Sequence, residues 1–144
     1  MIKAELAKHV YKIDKFDGYA ISVDLAFIHN IKLRIIVIYY PAGNTKKIIR
    51  TRLTKWCETK LNQDSSSESY QIILGDFNAT MNPSKDRTRA NGSTPKSILP
   101  ESKLLKLLDD LNFIDLYRIC NEDSGGYTWW SRVDSRIQSK IDYI

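Results

Sequence analysis

Residues 19–28 (Tyr-Ala-Ile-Ser-Val-Asp-Leu-Ala-Phe-Ile) alternate in polarity as a strand does, and residues 32–40 form a second, more continuously apolar run. His29-Asn30 between them supplies a turn. The pair therefore reads as an antiparallel hairpin at a buried position, which commits the first part of the chain to β-structure. Pro41-Ala42-Gly43-Asn44 breaks the second strand.

Beyond that break the period changes. Residues 45–62 place Ile49, Leu53, Trp56, Cys57 and Leu61 on one helical face, opposite a basic face of Lys46, Lys47, Arg50, Lys55 and Lys60. A polar linker is expected over 64–69, then a strand ending at Asp76, then a long polar stretch from Ala79 to Ser97. Loops of that length in compact domains tend to be functional or mobile. Pro100-Glu101 is expected to open a second helix with Leu104, Leu105, Leu108 and Leu111 as its core stripe, its first-turn carboxylate suiting the helix dipole. Apolar residues 113–119 are expected to pack beneath it. Gly125-Gly126 marks a turn before strands at 127–131 and 139–144. This order is that of an α/β (α+β) protein, with packed mixed sheets and helices outside.

At 144 residues the chain suits one domain, 1–144. Its 22 Lys and Arg against 17 Asp and Glu give a formal charge of +5, which favours polyanionic partners. Cys57 and Cys120, like His9 and His29, lack metal-ligand spacing, so neither a zinc site nor a disulfide framework is expected. That pattern, with no membrane-spanning apolar run and no signal-peptide core at the N-terminus, points to an intracellular protein without membrane partners.

Two carboxylates carry the chemistry. In Gln71-Ile72-Ile73-Leu74-Gly75-Asp76-Phe77-Asn78, a short apolar strand ends by delivering Asp76 and Asn78 two residues apart, on one side if the strand continues. Gly75 lets the backbone approach whatever those side chains grip. Asp76 can hold Mg²⁺ or meet a reacting water and Asn78 can orient a phosphate, although an Asp at a strand end is also a common turn former. In Ser139-Lys140-Ile141-Asp142-Tyr143-Ile144, Asp142 should face opposite to Ile141 and Tyr143. If buried there, it needs a hydrogen bond, a cation or a metal; at a half-buried edge it needs none.

Taken together with Ile38-Tyr39-Tyr40-Pro41, Asp86-Arg87, Ile114-Asp115-Leu116-Tyr117-Arg118 and Tyr127-Thr128-Trp129-Trp130-Ser131, these segments resemble the endonuclease/exonuclease/phosphatase superfamily. That superfamily is DNase I-like, and the likeness is nearest to the apurinic/apyrimidinic-endonuclease-like domains of non-LTR retrotransposons. The resemblance implies a partial four-layered sandwich, two mixed sheets face to face with helices outside. It implies hydrolysis of DNA phosphodiesters with Mg²⁺ (or Mn²⁺) and no small-molecule cofactor. Asp76 would position the attacking water and ligate the metal, Asn78 would hold the phosphate, and Tyr39 would lie near the scissile bond or pack as a core aromatic. Asp142 would orient a catalytic histidine. Thr128 and Ser139 fall in segments bordering the DNA groove of such relatives. Arg87 would touch a phosphate or remain a solvated charge beside Asp86, and Trp129 and Trp130 would either fill the core or stack on bases.

The family's metal-binding Glu motif and its Ser-Asp-His motif are both missing from these 144 residues. The chain therefore reads as a domain incomplete at both ends, with activity weak or lost and open sheet edges as surfaces for self-association. Loss of one positioned acid/base group costs about 10²–10⁴-fold in rate. A non-catalytic retroelement remnant with weak nucleic-acid binding is the alternative, and a phosphatase of the same superfamily a more distant one. Nuclear residence follows from the retroelement likeness alone.

Overall fold

Asp17 and Gly18, both at positive φ (42° and 72°), turn the chain between β1 (Val10–Phe16) and β2 (Ala20–Ala26). Tight hairpin turns demand that left-handed geometry, and Asp-Gly adopts it at low cost. β1 lies outside the elements expected from the sequence. The expected pair, β2 and β3 (Lys32–Tyr39), is antiparallel in register Ala20↔Ile38 to Ala26↔Lys32. His29 and Asn30 turn between them at φ 64° and 62°.

The computed structural model describes residues 2–63, 69–122 and 125–144. They form two compact units, Met1–Leu74 and Gly75–Ile144. Most of the polar linker expected over 64–69 lies outside the described residues.

In the first unit, a short α1 (Ala4–Ala7) precedes β1, and the strand order is β1-β2-β3-β4, with β4 spanning Ser69–Asp76. The hairpin is not buried on both faces, as its composition suggests. Arg34, Ile36 and Ile38 of β3 are buried while Val37 and Tyr39 are exposed, the period-two pattern of a half-covered sheet. Helix α2 (Lys47–Leu61) buries Leu53, Cys57 and Leu61 as expected. Its basic face is partly structural. Lys60 is buried and bonds Asp14 at 2.6 Å, and Arg50 donates to the Gly43 carbonyl at 2.6 Å. The buried sheet face also holds a cross-strand ion pair in which Arg34 Nε and Nη2 grip the two oxygens of Asp24 at 2.7 and 2.8 Å.

The second unit begins inside β4, whose last residues pair with β8 (Asp142–Tyr143). The long polar stretch is not structureless. It holds α3 (Pro83–Asp86) and β5 (Arg87–Thr88), and backbone bonds such as Ser84 N–H to Ser97 O at 2.9 Å pin it. Helix α4 (Lys103–Asp110) buries Leu104, Leu105 and Leu108. It starts two residues later than Pro100-Glu101 suggests, because the Ser102 side chain caps it by accepting from Leu105 N–H. Residues 113–119 do not pack beneath it as a core strip. They enter α5 (Leu116–Cys120), and Ile114, Leu116 and Ile119 stay exposed.

β5 pairs with β7 (Gln138–Ser139), which pairs with β6 (Trp129–Trp130) to make a three-stranded sheet. The single strand expected over 139–144 is thus two, β7 in this sheet and β8 beside β4, with Lys140-Ile141 crossing between them. Helices with two open sheets, of five and three strands, make the protein α+β.

Candidate functional site

β4 ends where its glycine bends. Gly75 has φ 137° and Asn78 has φ 46°, so the strand stops at Asp76 and Asn78 is not carried to the same side by strand alternation. Asn78 meets Asp76 by a different route. Its backbone N–H donates to Asp76 Oδ1 at 2.8 Å and its side chain bonds the same carboxylate. Asp76 thereby forms an Asx turn, and Phe77 between them is buried edge-on against Tyr143, ring centroids 5.5 Å apart.

Asp142 is the Cα partner of Asp76 across the antiparallel β4–β8 pair. It is exposed rather than buried, and Tyr143 beside it is buried, as alternation requires. Two carboxylates opposed on one sheet are unfavourable unless something lies between them. Burial, and then the Asp142 charge, push the Asp76 carboxyl above the ordinary carboxylate range, against the hydrogen bonds from Asn78.

The other expected residues are placed as follows. Arg87 is bound at both ends of its guanidinium by Glu101, with Nη2 to Oε2 at 2.9 Å, and its Nε donates to Ser139 Oγ at 3.1 Å. Ser139 is buried. Thr128 is exposed, and its hydroxyl accepts from the Ile141 and Asp142 N–H groups at 3.1 and 3.3 Å, fixing the start of β8. Trp129 and Trp130 are 44% and 51% exposed, so neither is a core residue. Tyr39 belongs to the first unit. It is half exposed, stacks on Tyr19 with centroids 6.4 Å apart, and lines a shallow cavity of about 330 Å³ with Lys15, Ile21 and Val37.

No protein-family model matches this chain.

Composition gives no hint of a buried charged network under this site. Asp86 is 1% exposed and accepts from Arg118, from the Asn82 N–H at 2.8 Å and from the Tyr143 hydroxyl at 3.2 Å. Lys140, 2% exposed, pairs with Asp115, and its ammonium sits 4.7 Å from the ring centres of both Tyr117 and Tyr143. Burial, followed by the Asp86 charge, pushes the Tyr143 phenol well above its ordinary range, so it stays a neutral donor. Asp86, Asp115, Arg118, Lys140 and Tyr143 all come from the segments that carry the family resemblance. Their part here is to fix the crossing from β7 to β8, which puts Asp142 opposite Asp76. A clue was available for Lys140, a charged residue inside an apolar strand pattern; for Asp86, within a long polar stretch, there was none.

No group of three or more metal-ligating His, Cys, Asp or Glu side chains gathers among the described residues. No helix among them is long and apolar enough to cross a membrane. In the first unit, burial pushes the Cys57 thiol up to about 12, which makes it an inert core residue.

Proposed function

We propose that this chain is a domain of the endonuclease/exonuclease/phosphatase kind, of non-LTR retrotransposon type, whose chemistry is Mg²⁺-dependent hydrolysis of DNA phosphodiesters. The observation that supports this reading is the pair Asp76 and Asp142, opposed on neighbouring strands, with Asn78 folded onto Asp76. Mg²⁺ commonly keeps several waters and takes only one or two protein carboxylates, a demand this pair fits. Burial first, and then the Asp142 charge, raise the proton affinity of Asp76, and a cation held by the pair would offset the second of these. When bound, Mg²⁺ would supply Lewis-acid stabilisation of charge on the phosphate.

On this reading Asp76 orients a water and accepts its proton, and Asn78 fixes the Asp76 carboxylate while offering its amide to a phosphate oxygen. Asp142, which the resemblance makes the partner of a catalytic histidine, stands beside Asp76 as a second carboxylate within reach of the same cation. The family's four-layered sandwich and nuclear location are part of the same proposal.

Nucleic-acid binding without catalysis is the second reading. The exposed tryptophans and the +5 charge still suit nucleic-acid binding without turnover.

Nicking of supercoiled plasmid by the purified protein in Mg²⁺ tests the proposal, with EDTA and Asp76→Ala as controls. Nicking abolished by both controls would support Asp76-dependent hydrolysis. Folded protein that binds DNA without nicking it would support the non-catalytic state, and folded protein that does neither would sink both.

A further inference from the structure

We propose that β1 is a homodimerisation edge, pairing antiparallel with β1 of a second copy about a two-fold axis at Ile13. Among the described residues β1 ends its sheet, so one row of its backbone donors and acceptors faces away from β2. Natural edge strands are usually blunted by charge, and β1 does carry Lys12, Asp14 and Lys15. The arrangement of those charges decides whether it repels a second copy or selects one.

An axis perpendicular to the sheet keeps every side chain on its own face, so residue i can only meet a residue of the same face in the other strand. Within the charged centre of the strand this leaves registers centred on Lys12, Ile13 or Asp14. Centring on Lys12 or Asp14 sets like charges against each other at the axis. Centring on Ile13 places each Lys12 opposite the other copy's Asp14, twice by symmetry. Lys12 and Asp14 already share a face, with Nζ to Oδ2 at 3.4 Å, and neither is buried; the same Asp14 oxygen also accepts from Lys60 Nζ at 2.6 Å. Charge thus excludes the neighbouring registers and favours this one.

The opposite face completes the argument. Ile13 is 54% exposed and is the Cα partner of Val23, which is the partner of Ile35. This apolar row stops at the edge of the sheet in one copy. In the Ile13-centred pair it continues through the second Ile13 to the second Val23 and Ile35, six residues across one continuous sheet. The proposal is independent of the nuclease reading, since it rests on the first unit alone.

Sedimentation of the 144-residue chain over a concentration series tests it. A concentration-dependent dimer is expected for the native sequence. Lys12→Asp, which sets Asp against Asp14 at both symmetric positions, is expected to weaken it by roughly tenfold or more. A native chain that stays monomeric throughout, or a dimer untouched by Lys12→Asp, overturns the proposal. Because Lys12→Asp also borders the Asp24–Arg34 pair, a second measurement avoids that region. In a Cys120→Ser background, Ile13→Cys should oxidise to a disulfide-linked dimer, and Lys15→Cys, off the axis, should not. Equal crosslinking at both positions also overturns the register.

Discussion

Asp76 and Asp142 are Cα partners across two antiparallel strands, and the Asp142 charge adds to burial in raising the proton affinity of Asp76. The sign of the linkage is set by that direction. A carboxyl raised in the folded state favours folding while protonated, and that advantage is lost as pH rises from the ordinary value of 3.8 through the raised one. Asp142→Asn removes the opposing charge. It is expected to lower the Asp76 pKa, seen by carboxyl NMR titration, and to raise stability at pH 7 by a few tenths of a kcal/mol. Millimolar Mg²⁺ should stabilise the native protein and do so less in the variant; an equal effect on both would argue against a shared cation.

Asp24 predicts the opposite pH behaviour. Burial pushes its pKa up, but the hydrogen bonds and charge of Arg34, with Ser22, outweigh this and hold it below 3.8. A depressed carboxyl contributes stability above the unfolded value, and that stability is lost as pH falls through the folded one. Urea midpoints measured from pH 6 to pH 2 should therefore drop below about pH 4. Asp24→Asn should lower stability by about 3–5 kcal/mol at pH 7, because it strands a buried guanidinium, and should flatten that acid limb.

Local pattern made much of the fold legible. The β2–β3 hairpin, α2 and the leucine stripe of α4 follow from alternation and helical spacing, and Ser102 shows why a helix begins at its cap rather than at a proline nearby. β1 was missed: residues 10–16 do not alternate in polarity, and only the Asp17-Gly18 turn beside them carries a hairpin signal. What pattern could not supply was tertiary. Asp86 sits in a polar stretch and is buried because Arg118 and Tyr143 reach it from more than thirty residues away. The tryptophans of β6 look like core residues by composition, yet they occupy an edge strand. Asn78 reaches Asp76 only because the strand ends at Asp76 and the chain turns through Asn78 at φ 46°, a break that alternation alone does not reveal.

Lys140 should be among the most sensitive positions outside the hydrophobic core. Its ammonium neutralises Asp115 between two tyrosine rings. Lys140→Met keeps most of the side-chain volume but leaves the carboxylate without its cation, at an expected cost of about 3–5 kcal/mol in urea unfolding. Adding Asp115→Asn should recover part of that loss. If the double variant is no better than the single one, the ion pair is not what Lys140 contributes.

Trp129 separates binding from folding. A side chain 44% exposed on a two-residue edge strand contributes little to the core, so Trp129→Ala should shift stability by no more than about 0.5 kcal/mol. If the domain binds nucleic acid through this strand, the same change removes an aromatic platform. Base stacking is worth about 1–3 kcal/mol, or roughly 5- to 150-fold in Kd. Anisotropy of a labelled single-stranded oligonucleotide measures this directly, and lowering the salt should tighten binding of both proteins in parallel because the phosphate contacts are retained. Loss of affinity at unchanged stability would place β6 in the nucleic-acid interface. Unchanged affinity would remove Trp129 as a base contact and leave binding to the positive charge and to Trp130.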